Sequence, residues 1–537
     1  MDEDAGQPHD ATLSPAWSAA IGAAALVAYL LLAPSAPGDK DSGEFTLVLA
    51  LDGVAHPTGY PLYTLLGHWF TRGLHALGCG FPYAANAWSA LGGALAIAFF
   101  HALSVRLAPV SARASRRGLF ALALLPLGLF ALNPVWTVEA TLAEVYSWHL
   151  AWVLAAVLSF ASLMSSLDAS ASWPRARLLR HAAAWGLLCG VGGAHHVSAI
   201  YTAAPLSLAL AYRLFRIRRL DALLVLAVLV TAAAPLSSYL FIYWKAAHPG
   251  PVAWGNLEPG WDGLVAHATG RQYQFLIGQF EPSPVQQGLL AEYVYPFLVP
   301  GLLLMIVLAV RARSELDRRV RASIALVALT QTLGTLGYGA SDPTSYFLSP
   351  MALGACLTVP AAAALLETPW SRRLFRPIVA LGVAGLVLLN VPWVRTGVSR
   401  RNGYERFETI VHSMWEKIPF ERGFVLWSDD MFARLRVYQL LDGEKPELDV
   451  INPWWLFFPA TRTRFTAEHG FDPVLGISMP ASWLRNPPPG TPPLERILEA
   501  LEGRINDHTE LPVIVFDAEK RSVRLLKKSG RVPSASP

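Results

Sequence analysis

Charged residues and cysteines are both scarce in this chain. Asp, Glu, Lys and Arg make up 15% of its 537 residues, whereas soluble domains usually carry about 25%. Hydrophobic residues make up 53%, and the mean hydropathy is +0.37. The three cysteines, Cys79, Cys189 and Cys356, are too few and too scattered for a disulfide framework or a zinc site. A long chain with so little charge is predicted to be a polytopic membrane protein.

The first residues lack basic groups as well. The start, MDEDAGQPHD, is acidic, whereas a secretory signal begins with a positively charged segment. We therefore expect the first apolar run to remain as a membrane helix that follows a cytoplasmic tail, residues 1–14.

Apolar runs long enough to cross a bilayer about 30 Å thick recur through residues 15–393. The gaps after the even-numbered runs hold clusters of arginine, whereas the gaps after runs three, five and nine hold no Lys or Arg. Because cytoplasmic loops collect basic residues, this alternation predicts that the N-terminus lies inside and that the chain after 394 lies outside. The eleven predicted spans are roughly 15–33, 84–105, 118–134, 147–166, 182–195, 197–212, 220–242, 291–310, 322–339, 347–366 and 377–393.

Residues 394–537 have a different pattern. The segments GFVLWSDD, ELDVINP, LPVIVFD and SVRLLKK are typical of strands, and MFARLRVYQLLDG and LERILEALEGRI are typical of helices. Their alternation predicts a small α/β domain in which RNPPPGTPP is a loop. The acids Asp429 and Asp430, at the end of the first strand, are more typical of a turn than of a catalytic site.

These patterns together predict the fold class. The chain is mainly α, a polytopic membrane protein with about eleven transmembrane helices and a small C-terminal extracytoplasmic α/β domain. The unusual polar residues all fall on the external side, in the loops 34–83 and 243–290 and in three shorter gaps. A transporter would instead place acids and broken helices near the bilayer midplane. Clustering on one face therefore predicts chemistry at the outer surface.

The stretch GDKDSGEF allows two interpretations. Asp41 followed three residues later by Glu44 is typical of a capping box, and the helix that follows would lie on the membrane surface. In the second interpretation one of the two carboxylates is a general base that takes a proton from an acceptor hydroxyl. Both acids would lie on one face of a helix, so either could serve.

Other external motifs are equally ambiguous from composition alone. HPTGYPLY, which begins at His56, could simply return the chain to the membrane, with Tyr60 as an interface anchor. His195 and His196 could form a short solvated turn or contact a donor phosphate. Asp342, which precedes a proline, could form a turn.

The order of these motifs resembles the bacterial DUF2723 membrane family. The matching segments are DSGEF, HPTGYPLYTLLG, NAWSAL, NPVWTVEATLAEVYSWH, WGNLEPGWDGLVAHATGRQY and DPTSYFLSP, which together span about 39–350. That family is similar to a eukaryotic transmembrane protein O-mannosyltransferase and, more widely, to GT-C glycosyltransferases. These multi-helix enzymes use polyprenyl-phosphate sugars on the outer face, and their first external loop carries an essential acidic residue.

The resemblance implies roles for particular residues. Asp41 or Glu44 would be the catalytic base, and Glu144 would bind sugar hydroxyls. Arg271 would contact the lipid phosphate, because a guanidinium binds phosphate bidentately. No metal site is predicted. The full set of implied substrate-binding residues is His56, Tyr60, Glu144, His195, His196, Trp254, Arg271, Gln272, Tyr273, Asp342 and Tyr346.

The function implied by the resemblance is transfer of a sugar from a polyprenyl-phosphate donor to an extracytoplasmic acceptor, with protein Ser or Thr favoured over a glycan. The expected partners are membrane lipid, the lipid-linked donor and the acceptor, without nucleic acid and without a cofactor beyond the donor. The expected location is a bacterial inner membrane, with the active site and the C-terminal domain on the periplasmic side. The alternatives are a transporter or flippase of lipid-linked glycans and a scaffold or receptor that binds partners through its C-terminal domain.

Overall fold

A computed structural model describes residues 15–108, 116–169, 173–312, 314–340, 342–366, 369–480, 492–518 and 520–528. The predicted tail, residues 1–14, lies outside these ranges, as does most of the RNPPPGTPP loop. The described chain is mainly helical and ends in a small region with a four-stranded sheet. The predicted fold class is therefore confirmed.

The helices follow the apolar runs of the sequence closely. Short 3-10 turns at Val197–Ala199, Arg271–Leu276 and Ser345–Phe347 and a π-helical turn at Leu290–Val294 join some of them. The helices are α1 (Pro15–Leu32), α2 (Ser42–Leu51), α3 (Pro61–Ala76), α4 (Phe81–Leu107), α5 (Arg116–Ala131), α6 (Pro134–Glu139), α7 (Tyr146–Ala169), α8 (Arg175–His195), α9 (Ile200–Arg216), α10 (Ala222–Leu236), α11 (Tyr239–Ala247), α12 (Gly260–Ala268), α13 (Pro284–Leu289), α14 (Tyr295–Val310), α15 (Glu315–Leu336), α16 (Leu348–Leu366) and α17 (Pro369–Glu416).

Eight segments of the described chain are long and apolar enough to cross a membrane. Three further predicted spans, 118–134, 182–195 and 322–339, also correspond to helices, namely α5, α8 and α15. Helix α5 has 16 described residues, and the first turns of α8 and α15 are charged. The count of eleven spans therefore stays a prediction.

Small residues let the membrane helices approach closely. A Cβ atom added to Gly186 of α8 would lie 2.3 Å from the Val228 carbonyl oxygen of α10. One turn later, a Cβ atom on Gly190 would lie 2.3 Å from the Ala232 carbonyl oxygen. Association of helices in lipid depends on such close packing, because lipid tails are as apolar as the helices themselves.

The arginine-rich helix ends meet on one side of the bundle. Arg213 at the end of α9 pairs with Asp168 at the end of α7, and Arg175 at the start of α8 lies 3.0 Å from Asp221. The opposite ends of these helices lead into the segments that hold the unusual polar residues. The orientation of the bundle in the membrane stays a prediction.

The last membrane helix continues far beyond a bilayer. Helix α17 has 48 residues, which at a rise of 1.5 Å per residue is about 70 Å. It runs unbroken through residue 394, the predicted domain boundary, and Val411 and Trp415 near its end are fully buried against the C-terminal domain. This helix links the membrane part to that domain.

The C-terminal domain is the predicted alternation of strands and helices. Its elements are β1 (Gly423–Leu426), α18 (Ala433–Leu441), β2 (Leu448–Ile451), α19 (Pro459–His469), α20 (Leu494–His508), β3 (Val513–Asp517) and β4 (Ser522–Leu525). The strand order is β2-β1-β3-β4, and β1 is parallel to both β2 and β3. Val425 of β1 lies opposite Val450 and Ile514, and all three are buried, as is usual for parallel strands covered on both faces.

Arg434 of α18 ties this domain to the first external segment. Its side chain is 1% exposed, and its guanidinium donates to the carbonyl oxygens of Pro37 (2.7 Å) and Gly38 (2.8 Å). It also pairs with Glu408 of α17. Beside it, Ala433 packs on Leu47 of α2. Helix α2 and the C-terminal domain therefore share one interface.

Candidate active site

Helix α2 carries the two predicted carboxylates, but it is not capped by them. Asp41 is the N-cap residue, yet its side chain makes no capping hydrogen bond, and the Glu44 carboxylate accepts a hydrogen bond from the His56 backbone N–H at 2.6 Å. The residues Phe45–Ala50 are all buried. The interpretation as a capping box on a membrane-surface helix is therefore wrong, because tertiary contacts enclose this short apolar helix and engage its acids.

His56 lies between the two carboxylates. Its Nδ1 is 3.1 Å from Glu44 Oε2, and its Nε2 is 3.7 Å from Asp41 Oδ2 and 3.1 Å from the Tyr60 hydroxyl. Burial opposes a charge on this ring, but Asp41 and Glu44 outweigh it and raise the pKa of His56 to about 9. The ring is therefore an imidazolium at neutral pH and holds both acids in place.

The Gly59–Tyr60 step turns the chain so that Tyr60 faces the same space. Gly59 has φ +81°, and a Cβ atom there would lie 2.4 Å from Ile242 Cδ1. Tyr60 itself has φ +45°, a conformation that few residues other than glycine adopt and that often marks functional sites. Helix α3 begins immediately afterwards at Pro61. The predicted kink therefore exists, and it places a tyrosine hydroxyl beside His56.

A lysine that sequence reasoning missed connects three external segments. Lys40 Nζ lies 3.2 Å from Glu139 Oε1 and also pairs with Asp342. Burial opposes the charge on Lys40, but Glu139, Asp342 and Glu144 together raise its pKa well above the ordinary value. Asp342 additionally accepts a hydrogen bond from the Thr344 backbone N–H at 3.1 Å, so it forms the predicted turn as well as an ion pair.

Glu144 is buried with one carboxyl oxygen unused. The residue is 2% exposed, and Oε1 makes no hydrogen bond to any described residue. Burial, followed by the nearby charges of Glu139 and Asp41, raises the pKa of Glu144 well above its usual range. A carboxyl group that keeps its proton can donate a hydrogen bond. Glu144 is therefore suited to hold a ligand oxygen.

These groups face a large cavity between the membrane part and the C-terminal domain. Its volume is about 750 Å³, within the usual range for small-molecule sites. Nine of the thirteen predicted site residues line it: Asp41, Glu44, His56, Tyr60, Glu144, Trp254, Tyr273, Asp342 and Tyr346. We call this space the main cavity.

Two further cavities adjoin the main cavity. The lipid-side cavity has a volume of about 440 Å³ and includes Val197, Ile200 and Leu333, which are exposed on the outside of the membrane helices. The outer cavity, of about 540 Å³, lies against the C-terminal domain. The residues shared by the main and lipid-side cavities include five tyrosines, Tyr60, Tyr146, Tyr273, Tyr338 and Tyr346.

The two predicted histidines are not a solvated turn. His195 and His196 are 6% and 4% exposed. His195 Nε2 lies 3.1 Å from the Val145 carbonyl oxygen, and His196 stacks on the Tyr60 ring with centroids 5.5 Å apart. His196 lines the lipid-side cavity, whereas His195 lines none of the three cavities. The solvated-turn interpretation is therefore wrong, because helix packing encloses both rings.

Arg271 and Gln272 do not line the described cavities. Arg271 is exposed, and its guanidinium forms two hydrogen bonds of 3.1 Å with Asp262. Gln272 accepts a hydrogen bond from the Trp254 indole N–H at 3.1 Å. The Trp254 ring in turn lies 5.9 Å from the His56 ring. Gln272 therefore orients a cavity residue, while the Arg271 charge is engaged by a neighbour on the surface.

The residues that sequence reasoning missed come mostly from the C-terminal domain. The signal for Lys40 was its position next to Asp41, and the signal for Asp430 was its position just after a parallel strand, where ligands of α/β sheets bind. Nothing in the local sequence marked the others. The missed residues are Lys40, Tyr146, Ser345, Asp430, Arg436, Asn452, Trp455 and Arg464.

Three side chains of the site together could hold one divalent metal ion. Asp41, Glu44 and His56 each place one ligand atom within 4.8 Å of the others. An ion there would have to displace the proton of the imidazolium, because metal ligation requires neutral histidine. The expectation that no metal takes part remains a prediction.

The sequence matches one family model over a third of its length. Residues 41–219 match the protein O-mannosyl-transferase TMEM260 N-terminal domain. The match includes Asp41, Glu44, His56, Tyr60 and Glu144 but ends before the loop that carries Trp254. No curated protein matches the sequence. The resemblance to DUF2723 itself stays a prediction.

Solved structures resemble the chain only distantly. The archaeal oligosaccharyltransferase AglB from Archaeoglobus fulgidus, in complex with an inhibitory peptide and a dolichol-phosphate, has 12% identity and a TM-score of 0.46, covering 93% of this chain and 69% of that one. ArnT from Cupriavidus metallidurans, bound to undecaprenyl phosphate, has 15% identity and a TM-score of 0.49, covering 79% and 85%. At these scores the likeness does not bear on function.

Proposed function

We propose that the protein is a membrane glycosyltransferase that moves a sugar from a polyprenyl-phosphate donor to a Ser or Thr hydroxyl of a protein acceptor. The observation that carries the proposal is the Asp41 carboxylate, which faces a cavity lined by several charged side chains, directly beside a more apolar cavity on the lipid side. The family match begins at this residue. A lipid-linked donor needs two adjoining cavities of this kind, because its chain is apolar and its sugar is polar.

The donor chain would occupy the lipid-side cavity. Val197, Ile200 and Leu333 line this cavity and are half-exposed on the outer surface of membrane helices. A polyprenyl chain could therefore enter from the bilayer without passing through water, which would cost free energy in proportion to its apolar area.

The donor phosphate would lie at the tyrosines that divide the two cavities. Burial raises the pKa of Tyr60 and of Tyr273 well above the usual value, so both hydroxyls keep their protons. The His56 imidazolium supplies a positive charge beside the Tyr60 hydroxyl, 3.1 Å away. Hydrogen bonds from charged or protonated donors to an anion are the strong ones. This arrangement would stabilise the phosphate as it leaves.

Among the two predicted carboxylates, the geometry favours Asp41 as the base. The Asp41 side chain is 40% exposed to the cavity, whereas Glu44 is 15% exposed and receives both the backbone N–H and Nδ1 of His56. Glu44 is therefore a positioning residue that orients His56. A base needs a free lone pair within hydrogen-bond reach of the proton it removes, and Asp41 offers one.

The chemical step balances as a direct displacement. The acceptor oxygen forms a bond to the anomeric carbon while the bond between that carbon and the phosphate oxygen breaks. The acceptor proton passes to Asp41, and the leaving group is the polyprenyl phosphate, held by Tyr60 and His56. Glu144 would donate a hydrogen bond to a hydroxyl of the sugar.

The arginine distribution supports an extracytoplasmic location for this site. Basic residues collect in cytoplasmic loops, and the arginine-rich start of α8 and end of α9 line none of the three cavities. The site and the C-terminal domain would then face the periplasm of a bacterium.

Incubation of the purified protein with a panel of undecaprenyl-phosphate sugars tests the proposal. We expect one donor to be consumed slowly by water and faster when a Ser/Thr peptide is present. A flippase would instead move the intact donor across liposome membranes without consuming it. Translocation with no loss of any donor in the panel would contradict the proposal and favour the flippase.

A further inference from the structure

We propose that the outer cavity is the acceptor site and that Asp430 of the C-terminal domain binds the acceptor chain where the outer and main cavities join. This inference rests on the proposed function, because it names the residue that presents the acceptor to Asp41. Asp430 lines both cavities, together with Lys40, Trp254 and Trp455.

The two adjacent acids after β1 have different roles. The Asp429 carboxylate accepts a hydrogen bond from the Met431 backbone N–H at 2.8 Å and caps the 3-10 turn Asp430–Phe432. Asp430 makes no such bond, and its nearest hydrogen-bond partner is the Asn452 amide at 3.5 Å. The turn therefore needs Asp429, which leaves the carboxyl group of Asp430 available to a ligand.

The position of Asp430 in the fold is typical of a binding residue. It follows the carboxyl end of β1, and Asn452 follows the carboxyl end of the neighbouring parallel strand β2. Ligands of open α/β sheets bind in the crevice outside these strand ends. Here that crevice opens toward the membrane part, because Arg434 fixes α18 to Pro37 and Gly38.

The walls of the outer cavity suit a polypeptide better than a lipid phosphate. Trp254, Trp454 and Trp455 supply aromatic surface with polar tips, and Asp430 and Asn452 supply hydrogen-bonding groups. Carboxylates on the wall would repel the donor phosphate. The apolar chain has a separate place in the lipid-side cavity. The outer cavity is thus the space left for the acceptor.

The electrostatics of Asp430 match this role. Burial within the cavity wall, followed by the charges of Asp41, Asp429 and Glu44, raises the pKa of Asp430 to about 7. Near neutral pH the group can therefore donate or accept a hydrogen bond. The unfolded chain ionises this acid near its ordinary pKa of 3.8, so the raised pKa of Asp430 in the folded protein costs stability that grows as pH rises from about 4 and is complete above about 7.

The test is peptide binding by the full-length protein in detergent, measured without any donor. The probe is a fluorescein-labelled peptide of sequence GATATAG, followed by fluorescence anisotropy. We expect Asp430→Asn to weaken binding roughly tenfold at pH 8, because the ionised carboxylate accepts stronger hydrogen bonds from the peptide than a neutral amide oxygen does. Asp449→Asn, an acid of the same domain that lines none of the three cavities, is the matched control and should bind as the unmodified protein does.

Two further readouts keep the result interpretable. The melting temperature of Asp430→Asn should exceed that of the unmodified protein at pH 8, because the substitution removes a disfavoured charge, and this checks that the variant is folded.

Equal peptide binding by both proteins would overturn the inference while leaving donor consumption, and so the proposed function, intact. Binding of maltotriose but not of the peptide would overturn the polypeptide assignment. Peptide binding that is lost in Asp430→Asn, in a protein that consumes no donor, would support the acceptor site and contradict the transferase.

Discussion

The main cavity has two walls that differ in how their charges are satisfied. On the membrane wall, Asp41 and Glu44 lie against His56, and Lys40 pairs with Glu139 and with Asp342. On the C-terminal wall, the guanidinium of Arg436 donates to the Pro251 carbonyl oxygen at 3.1 Å, and that of Arg464 donates to the Gly255 carbonyl oxygen at 3.3 Å. Within the described residues no carboxylate lies within 4.0 Å of either arginine.

This difference suggests that the membrane wall carries out the chemical step and that the C-terminal wall binds the acceptor. A network of mutually paired charges fixes its members before substrate arrives, as the positioning of a base and a leaving-group cation requires. Charges that bond only to backbone carbonyl oxygens retain capacity for a ligand. We therefore expect substitutions on the membrane wall to lower kcat and substitutions on the C-terminal wall to raise KM for the acceptor.

The largest effect is expected at Asp41. Asp41→Asn keeps the shape of the side chain but removes the proton acceptor, so kcat should fall on the order of 10²–10⁴-fold while donor binding persists. Glu44→Gln is the matched control one helical turn away. It should lower kcat less, because it leaves the proposed base in place and changes only the orientation and the pKa of His56. Steady-state measurement of kcat and of KM for the donor, on both purified variants, tests this prediction.

The assignment of Asp41 can fail in two ways. Near-normal transfer by Asp41→Asn together with a collapse in Glu44→Gln would move the base to Glu44. Near-normal transfer by both variants would contradict carboxylate base catalysis at this wall and remove the contrast between the two walls.

Substitutions of Glu144 should have the next largest effect, and they test whether its carboxyl group is protonated. If the carboxyl group is protonated and donates to the sugar, Glu144→Gln keeps a donor and should retain most activity. Glu144→Leu leaves a ligand hydroxyl unpaired, which costs about 1 to 3 kcal/mol, or roughly 5- to 150-fold in kcat/KM. Equal losses in both variants would show that a negative charge, and not a donated hydrogen bond, is required at this position.

Local motifs made the membrane wall predictable. Asp41, Glu44, His56 and Tyr60 lie within twenty residues of one another, so their spacing alone indicates that they meet. Lys40 is in the same segment, but its partners Glu139 and Asp342 are distant in sequence, and nothing in the local pattern predicts the pairing.

The C-terminal wall could not be predicted either, because its residues reach the cavity through contacts between segments that are distant in sequence. Asp430 reaches the cavity through contacts between distant segments, among them the hydrogen bond from Arg434 to the Pro37 carbonyl oxygen, which joins residues 397 positions apart along the chain. Arg271 illustrates the converse. The resemblance and the bidentate geometry of its guanidinium favoured a site residue, but Asp262, nine residues earlier, engages that guanidinium on the surface.

A smaller effect is expected on the C-terminal wall. Arg464 is exposed, and an exposed ion pair contributes about 0.2–1 kcal/mol. Arg464→Gln should therefore raise KM at most about fivefold for a peptide with glutamate beside its acceptor threonine, with kcat unchanged. A peptide with glutamine in place of glutamate should show no difference between the two proteins. A fall in kcat instead would contradict the division of labour between the walls. The effect should also weaken with salt, because exposed charges are screened.

The smallest expected effect is a pH dependence of stability that His56 confers on the membrane wall. Because Asp41 and Glu44 raise the pKa of His56 from 6.5 to about 9 on folding, the stabilisation is fully present below pH 6.5 and is lost as pH rises through about 9. The melting temperature of the unmodified protein in detergent should therefore exceed that of His56→Gln at pH 6, and the gap should close by pH 10. Glu44→Gln removes one source of the raised pKa, so in that variant the loss should begin at lower pH. A gap that stays constant from pH 6 to 10 would mean that His56 is neutral in the folded protein. The membrane wall would then lack the cation that we assign to the departing phosphate.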